Sequence, residues 1–220
     1  MADCQAPPRL ATAGADQSLL KGALMLRVWG VPSARPAMDI DLLRRGVADQ
    51  AALVRLAEQC AAISDLSDGV VFEPTTISVV PIRDATEYVR TRIRLHARLD
   101  NVRQTVRIDF GVGDSVHPQP QVIDYPVLLT SPPVPLNAYP VEAAIAEKFE
   151  AMVHLDMQNS RMKDFYDIWI LSRTLRAART RALAAVDGQA VKHRCEPYRP
   201  ALIEDTIEAW LGKPDASGAT

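Results

Sequence analysis

The sequence has few cysteines, no long apolar run and almost no net charge, and each shortage closes off a class of protein. Its three cysteines, Cys4, Cys60 and Cys195, lie far apart, are odd in number and form no Cys-x-x-Cys pair. That spacing suits neither a disulfide framework nor a zinc site and reads as reduced thiols in a cytosol. No stretch reaches the roughly 18 apolar residues that cross a bilayer. The apolar run from Gly22 to Trp29 is interrupted by Arg27. The N-terminus shows no basic segment leading into an apolar one, so no secretory signal is expected. A formal net charge of −2 does not mark a nucleic-acid binder. Internal repeats and low-complexity tracts are absent as well. The expectation is a cytoplasmic protein with no membrane partner.

What is present is a globular balance. With 48% hydrophobic and 24% charged residues over 220 positions, the chain can bury one domain, or one domain with a helical extension. The Ala- and Pro-rich residues 1–16 are expected to be flexible. Residues 17–135 form a mixed α/β half, 136–212 a helical lobe, and 213–220 a flexible tail. Between Pro118 and Pro140 lie seven of the sixteen prolines, which mark the joint.

Local patterns support that division. Ser18–Lys21 reads as a buried strand and Gly22–Trp29 as a short helix. Asp49–Ile63 places Leu53, Leu56, Ala57 and Cys60 on one helical face, with Asp49 able to cap it. Thr75–Ile82 reads as a strand with Pro81 near an edge. Glu87–Leu99 and Val102–Val112 form a hairpin about a tight Asp100-Asn101 turn. One further short strand is expected at Tyr125–Leu129. Helices follow at Val141–Asp156, Arg161–Arg173, Leu175–Val186 and Pro200–Leu211.

The chemistry concentrates in Met38–Leu43. Met38, Ile40 and Leu42 alternate with Asp39 and Asp41, which puts two carboxylates on one face of a strand. Like charges so close repel, and a divalent cation relieves the repulsion. Magnesium favours hard oxygen ligands, few protein carboxylates and substrate phosphates, as nucleotide transfer requires. The plainer alternative is the wet face of a strand. Asp109, flanked by Ile108 and Phe110, serves as a third ligand or a general base, or else pairs with Arg107 or Arg103. Arg90, Arg92 and Arg94 share a face that either meets the phosphates of an RNA or is simply solvated.

Three segments then carry a family resemblance. Leu20-Lys21-Gly22-Ala23-Leu24-Met25-Leu26-Arg27, with Arg35 and Met38-Asp39-Ile40-Asp41-Leu42 behind it, resembles the opening motif of the AbiEii/AbiGii nucleotidyltransferases. Ala146-Glu147-Lys148-Phe149-Glu150-Ala151 resembles that family's Ala-x-Lys helix. Lys163-Asp164-Phe165-Tyr166-Asp167-Ile168 resembles the Asp-x-x-Asp helix that follows it. The matches come in the family's order over about two-thirds of the chain. Where the family usually has hydroxyl residues, at the first turn and before the paired Asp, this chain has Leu24 and Ala37.

The resemblance implies an α/β fold: a polymerase-beta-like nucleotidyltransferase core with a small mixed sheet, flanking helices and a helical C-terminal lobe. It implies a magnesium-dependent enzyme that moves a nucleotide from a nucleoside triphosphate to an acceptor, either a tRNA 3′ end or a protein. Such members are commonly toxins, which makes a cognate antitoxin a partner. It assigns metal binding to Asp39, Asp41 and Asp109, and nucleotide binding to Lys21, Gly22, Ala23, Arg35 and Lys148. Catalytic roles extend to Lys148, Asp164 and Asp167, the last two orienting the lysine. From the residues alone, Lys148 is equally a lysine lying along the core edge, Asp164 a cap, Asp167 a surface acid and Arg35 half of a surface ion pair. A nucleotide- or partner-binding member without activity, and a metal-dependent nuclease, stand as alternatives.

Overall fold

A computed structural model describes residues 2–13, 17–31, 36–45, 49–63, 68–82, 90–113, 116–126, 133–155 and 162–174. The chain divides into two compact units. The first holds residues 1–116 and 120–139, and the second holds 117–119 and 140–220.

The first unit is built on a seven-stranded mixed sheet. Its strands are β1 (Ser18–Lys21), β2 (Ile40–Arg44), β3 (Val70–Ile82), β4 (Arg90–Leu99), β5 (Val102–Val112), β6 (Gln121–Tyr125) and β7 (Val134–Ala138). They lie in the order β3-β4-β5-β2-β1-β7-β6. The strand carrying Asp41 is therefore the middle one. It runs parallel to β5 and antiparallel to β1. β4 and β5 form the hairpin that Asp100-Asn101 announces, with Asp100 at φ 52°. β3 is an edge strand, which is why it tolerates Pro81. Its register shifts between Glu73 and Ser78, around Pro74.

One face of this sheet is the core. Ile40 and Leu42, Ile93 and Leu95, and Val106, Ile108 and Phe110 are all buried there. They pack with residues of α1 (Ala2–Thr12) and α3 (Gln50–Ala62). α3 presents Leu53, Leu56, Ala57 and Cys60 at the spacing expected, and Asp49 caps it by accepting from the Ala51 N–H at 3.2 Å. α2 (Leu24–Val28) buries Leu24, Met25 and Leu26.

Two local expectations need correction. Residues 1–16 were expected to be flexible, yet Ala2–Thr12 form a helix with Ala6 and Leu10 buried in the core. Its anchor is Arg9, whose guanidinium donates two hydrogen bonds to Asp68, at 2.6 and 2.8 Å, and others to the Ile63 and Val70 carbonyls. Pro7 and Pro8 hid this helix from sequence reasoning. Of the short strand expected at Tyr125–Leu129, residues 127–129 lie outside the described residues, and Tyr125 closes β6. A second strand, β7, follows across Pro135 and pairs antiparallel with it.

In the second unit, α4 (Val141–Leu155) and α5 (Met162–Thr174) stand where the helical patterns predict them. Phe149 from α4 and Ile168 and Leu171 from α5 are buried. The helices expected at Leu175–Val186 and Pro200–Leu211 lie outside the described residues. No helix among the described residues is long and apolar enough to cross a membrane.

Candidate active site

Opposite the core face, the sheet gathers its charged side chains. With Ile40 and Leu42 turned into the core, Asp41 must point the other way; the strand expected from Met38 begins only at Ile40, so Met38 is exposed and Asp39 stands just ahead of the strand. The registers then line up a row. Lys21 stands opposite Asp41, Asp41 beside Asp109, and Asp109 opposite Arg92. Two carboxylates thus become neighbours on adjacent parallel strands, and Asp39 lies one pleat along.

Arg92 holds this cluster together. Its Nε and one terminal nitrogen each donate to a different oxygen of Asp109, both at 2.7 Å, and the same terminal nitrogen reaches Asp39 at 3.3 Å. This forked arrangement is the strong form of an arginine–carboxylate pair. The hydrogen bonds to Asp109 raise the Arg92 pKa further above its ordinary value. Arg107 stands 3.7 Å from Asp39, and Arg90 stands 4.0 Å from Asp41. The partner of Asp109 is therefore neither Arg103 nor Arg107. Arg103 pairs with Glu73 at 2.7 Å.

Sequence reasoning missed Arg92 as the partner, although the signal was present. A two-residue turn at Asp100-Asn101 fixes every pairing in the hairpin and puts Arg92 across from Asp109. Of the arginine face, Arg90 and Arg92 engage acids, while Arg94 and Arg98 are exposed.

Gly22 explains another part of the geometry. It sits at φ 73° between β1 and α2. A Cβ built there would fall 2.8 Å from Asp41 Cγ and closer still to Oδ2. The space left by the missing side chain is thus filled by the Asp41 carboxylate. Ala23 follows at the helix start and supplies no side-chain cap. Lys21 has its ammonium 5.3 Å from the Tyr139 ring centre. Arg35 lies outside the described residues.

These residues bear on whether magnesium fits. The donors are carboxylate oxygens, the ligand type that ion prefers. Asp39 Oδ1 is buried and, among the described residues, accepts no hydrogen bond. Among those residues, no three His, Cys, Asp or Glu side chains converge as a metal cage. Asp109 is bonded to Arg92 instead. The set fits an ion held by Asp39 and Asp41 with other ligands from water and phosphate.

The second unit has its own charged cluster. Lys148 on α4 donates to Asp164 at 2.9 Å and forms an ion pair with Asp167 at 2.8 Å, both carboxylates coming from α5. Asp164 and Asp167 are one helical turn apart and fully buried. Burial disfavours the charged lysine, but the two carboxylates outweigh it and hold the Lys148 pKa above its ordinary value. The structure thus brings together the lysine and the Asp-x-x-Asp pair.

A family model described as the nucleotidyl transferase AbiEii toxin of type IV toxin–antitoxin systems matches residues 9–214. The chain belongs to the AbiEii nucleotidyltransferase family. The solved structure of JHP933 from Helicobacter pylori is similar, with a TM-score of 0.54 and 14% identity, over 92% of this chain and 75% of that one. A second H. pylori structure, assigned as a nucleotidyltransferase, gives a TM-score of 0.52 and 15% identity over 94% and 86% of the two chains. At such identities the likeness shows a shared fold. No curated protein sequence matches significantly.

Proposed function

We propose that this AbiEii member is a magnesium-dependent enzyme that transfers a nucleotide from a nucleoside triphosphate to a hydroxyl of an acceptor. The observation that carries this reading is the carboxylate face of the central strand. Asp41 projects from a packed strand beside Asp109, Asp39 stands just ahead of that strand, and Gly22 makes room for Asp41. Like charges in such contact cost free energy, which Arg90, Arg92 and Arg107 offset in part.

Magnesium, when bound by Asp39 and Asp41, supplies charge neutralisation for a triphosphate. The chain's own residues do the remaining work. Asp109, held by Arg92, stands beside Asp39 and Asp41 as a further acid. Lys21, Gly22, Ala23 and Arg35 take up the nucleotide. Lys148 meets phosphate as a point charge, and Asp164 and Asp167 fix its position and keep it charged. The acceptor is an RNA end such as that of a tRNA, whose phosphates suit Arg94 and Arg98, or else a protein. As in a type IV system, a cognate antitoxin is the partner, and the cytosol is the place of action.

The test is a transfer screen. The purified chain is incubated with magnesium and each α-labelled nucleoside triphosphate, beside total cellular RNA and protein. Label appearing covalently in one acceptor pool supports the reading. Tight triphosphate binding in calorimetry without any transfer would favour a binding protein, and shortened RNA would favour a nuclease.

A further inference from the structure

The carboxylate face already contains cations of its own, and Arg92 makes the shortest contacts among them. Arg92 spends its fork on both oxygens of Asp109, at 2.7 Å each, and extends the same terminal nitrogen to Asp39 at 3.3 Å. One guanidinium thus bridges two of the three acids. It is three-quarters buried, and Asp109 is almost wholly so. Its backbone cannot drift away, because the β4–β5 ladder is paired without interruption from Arg90 to Leu99. The Asp39 oxygen that Arg92 does not reach, Oδ1, is the buried one left without a hydrogen bond among the described residues.

We infer that Arg92 is the resident counter-ion of the carboxylate cluster, holding Asp39 and Asp109 together and competing with a divalent ion for their oxygens. The inference rests on the metal reading of the same face. Both Asp109 oxygens already accept a strong, charge-assisted bond. An ion that takes Asp109 as a ligand must therefore share an oxygen with the guanidinium or displace one arm of the fork. Arg92 thereby does two opposed things. It keeps Asp39 and Asp109 in place when no divalent ion is present, and it weakens the affinity of the site for divalent ions. Once one arm is released, its donors are freed beside the same carboxylates, where an incoming phosphate oxygen is an acceptor of the right charge. Arg92 is in this sense a positioning residue.

The test uses the full chain and manganese alone as the probe, with binding followed by the loss of the free-ion electron paramagnetic signal. Arg92→Gln removes the competing charge. Arg92→Lys keeps a charge but cannot fork and serves as the milder substitution should the first fail to fold. The expected result is a manganese Kd at least several-fold lower in Arg92→Gln, with Arg92→Lys between it and the unaltered chain. In chelator, the Gln variant should melt at a lower temperature than the unaltered chain, and saturating manganese should close that gap. A residue that merely braced the hairpin would lower the melting temperature equally with and without the ion. An unchanged or weaker manganese Kd in either folded variant overturns the inference while leaving the metal reading standing. If the unaltered chain binds no manganese at all, both fall.

Discussion

Gly22 shows how one missing side chain can shape a site. Its φ of 73° lies where an L side chain is strained, and the volume of its absent Cβ is taken by Asp41. Gly22→Ala is expected to cost about 1–2 kcal/mol from the backbone conformation alone. It should also push the Asp41 carboxylate aside, so transfer should fall by far more than the stability loss accounts for. Urea unfolding and a transfer assay on the same preparation check this. Equal activity with normal stability would show that Asp41 does not need its present position.

Lys148 makes a different prediction. Its folded pKa is raised, so its ion pairs stabilise fully below the lysine's ordinary pKa of about 10.4 and lose that effect as pH rises through the folded value. The stability difference between the unaltered chain and Lys148→Met should therefore be flat from pH 6 to about 9 and shrink only in strong alkali. A difference that shrinks near neutrality would mean that the lysine is not held charged by Asp164 and Asp167.

At the scale of elements, the N-terminal helix is fastened by a buried ion pair. Arg9 and Asp68 are both about 95% or more buried as side chains, and Arg9 also lies 5.1 Å from the Phe72 ring centre. Asp68→Ala strands a buried guanidinium, which typically costs about 3–5 kcal/mol. A matching drop in the urea midpoint is expected, and a change under 1 kcal/mol would mean that water reaches Arg9 freely. Burial works against the ionised Asp68, but the bonds from Arg9 prevail and lower its pKa. The pair therefore contributes above the ordinary carboxylate pKa of about 3.9 and loosens as pH falls through the lower folded value.

This helix was invisible in the sequence because its stability is tertiary: two prolines argue against it locally, and the partner acid is 59 residues away. β7 was hidden for a similar reason. Pro135 lies within it, and its parallel contact runs to Leu20, far back in the chain. By contrast, α3, α4, α5 and the β4–β5 hairpin were legible. Each is announced by a period, a cap or a turn dipeptide that acts within a few residues.

At the scale of the whole chain, the candidate site divides the same way. The paired aspartates could be read from alternation, and the lysine and Asp-x-x-Asp from motif order. The register that sets Asp41 beside Asp109 requires a parallel pairing between residues 68 positions apart, which no local pattern specifies. Arg92 lies between these cases, fixed by the hairpin turn. The family match over residues 9–214 spans both compact units. Loss of either charged cluster is expected to abolish transfer, and loss of Lys148, which leaves Asp164 and Asp167 buried without their cation, should also lower the stability of its unit.

The most direct measurement compares the unaltered chain with Asp41→Asn in the labelled-triphosphate assay, each checked for fold by far-UV circular dichroism and melting. Asp41→Asn keeps the shape of the side chain and removes its charge. The expected result is magnesium-dependent labelling of one acceptor by the unaltered chain, and at least a hundredfold loss in a variant that melts normally. A well-folded Asp41→Asn that labels at the original rate would contradict the assignment of this carboxylate face to the reaction.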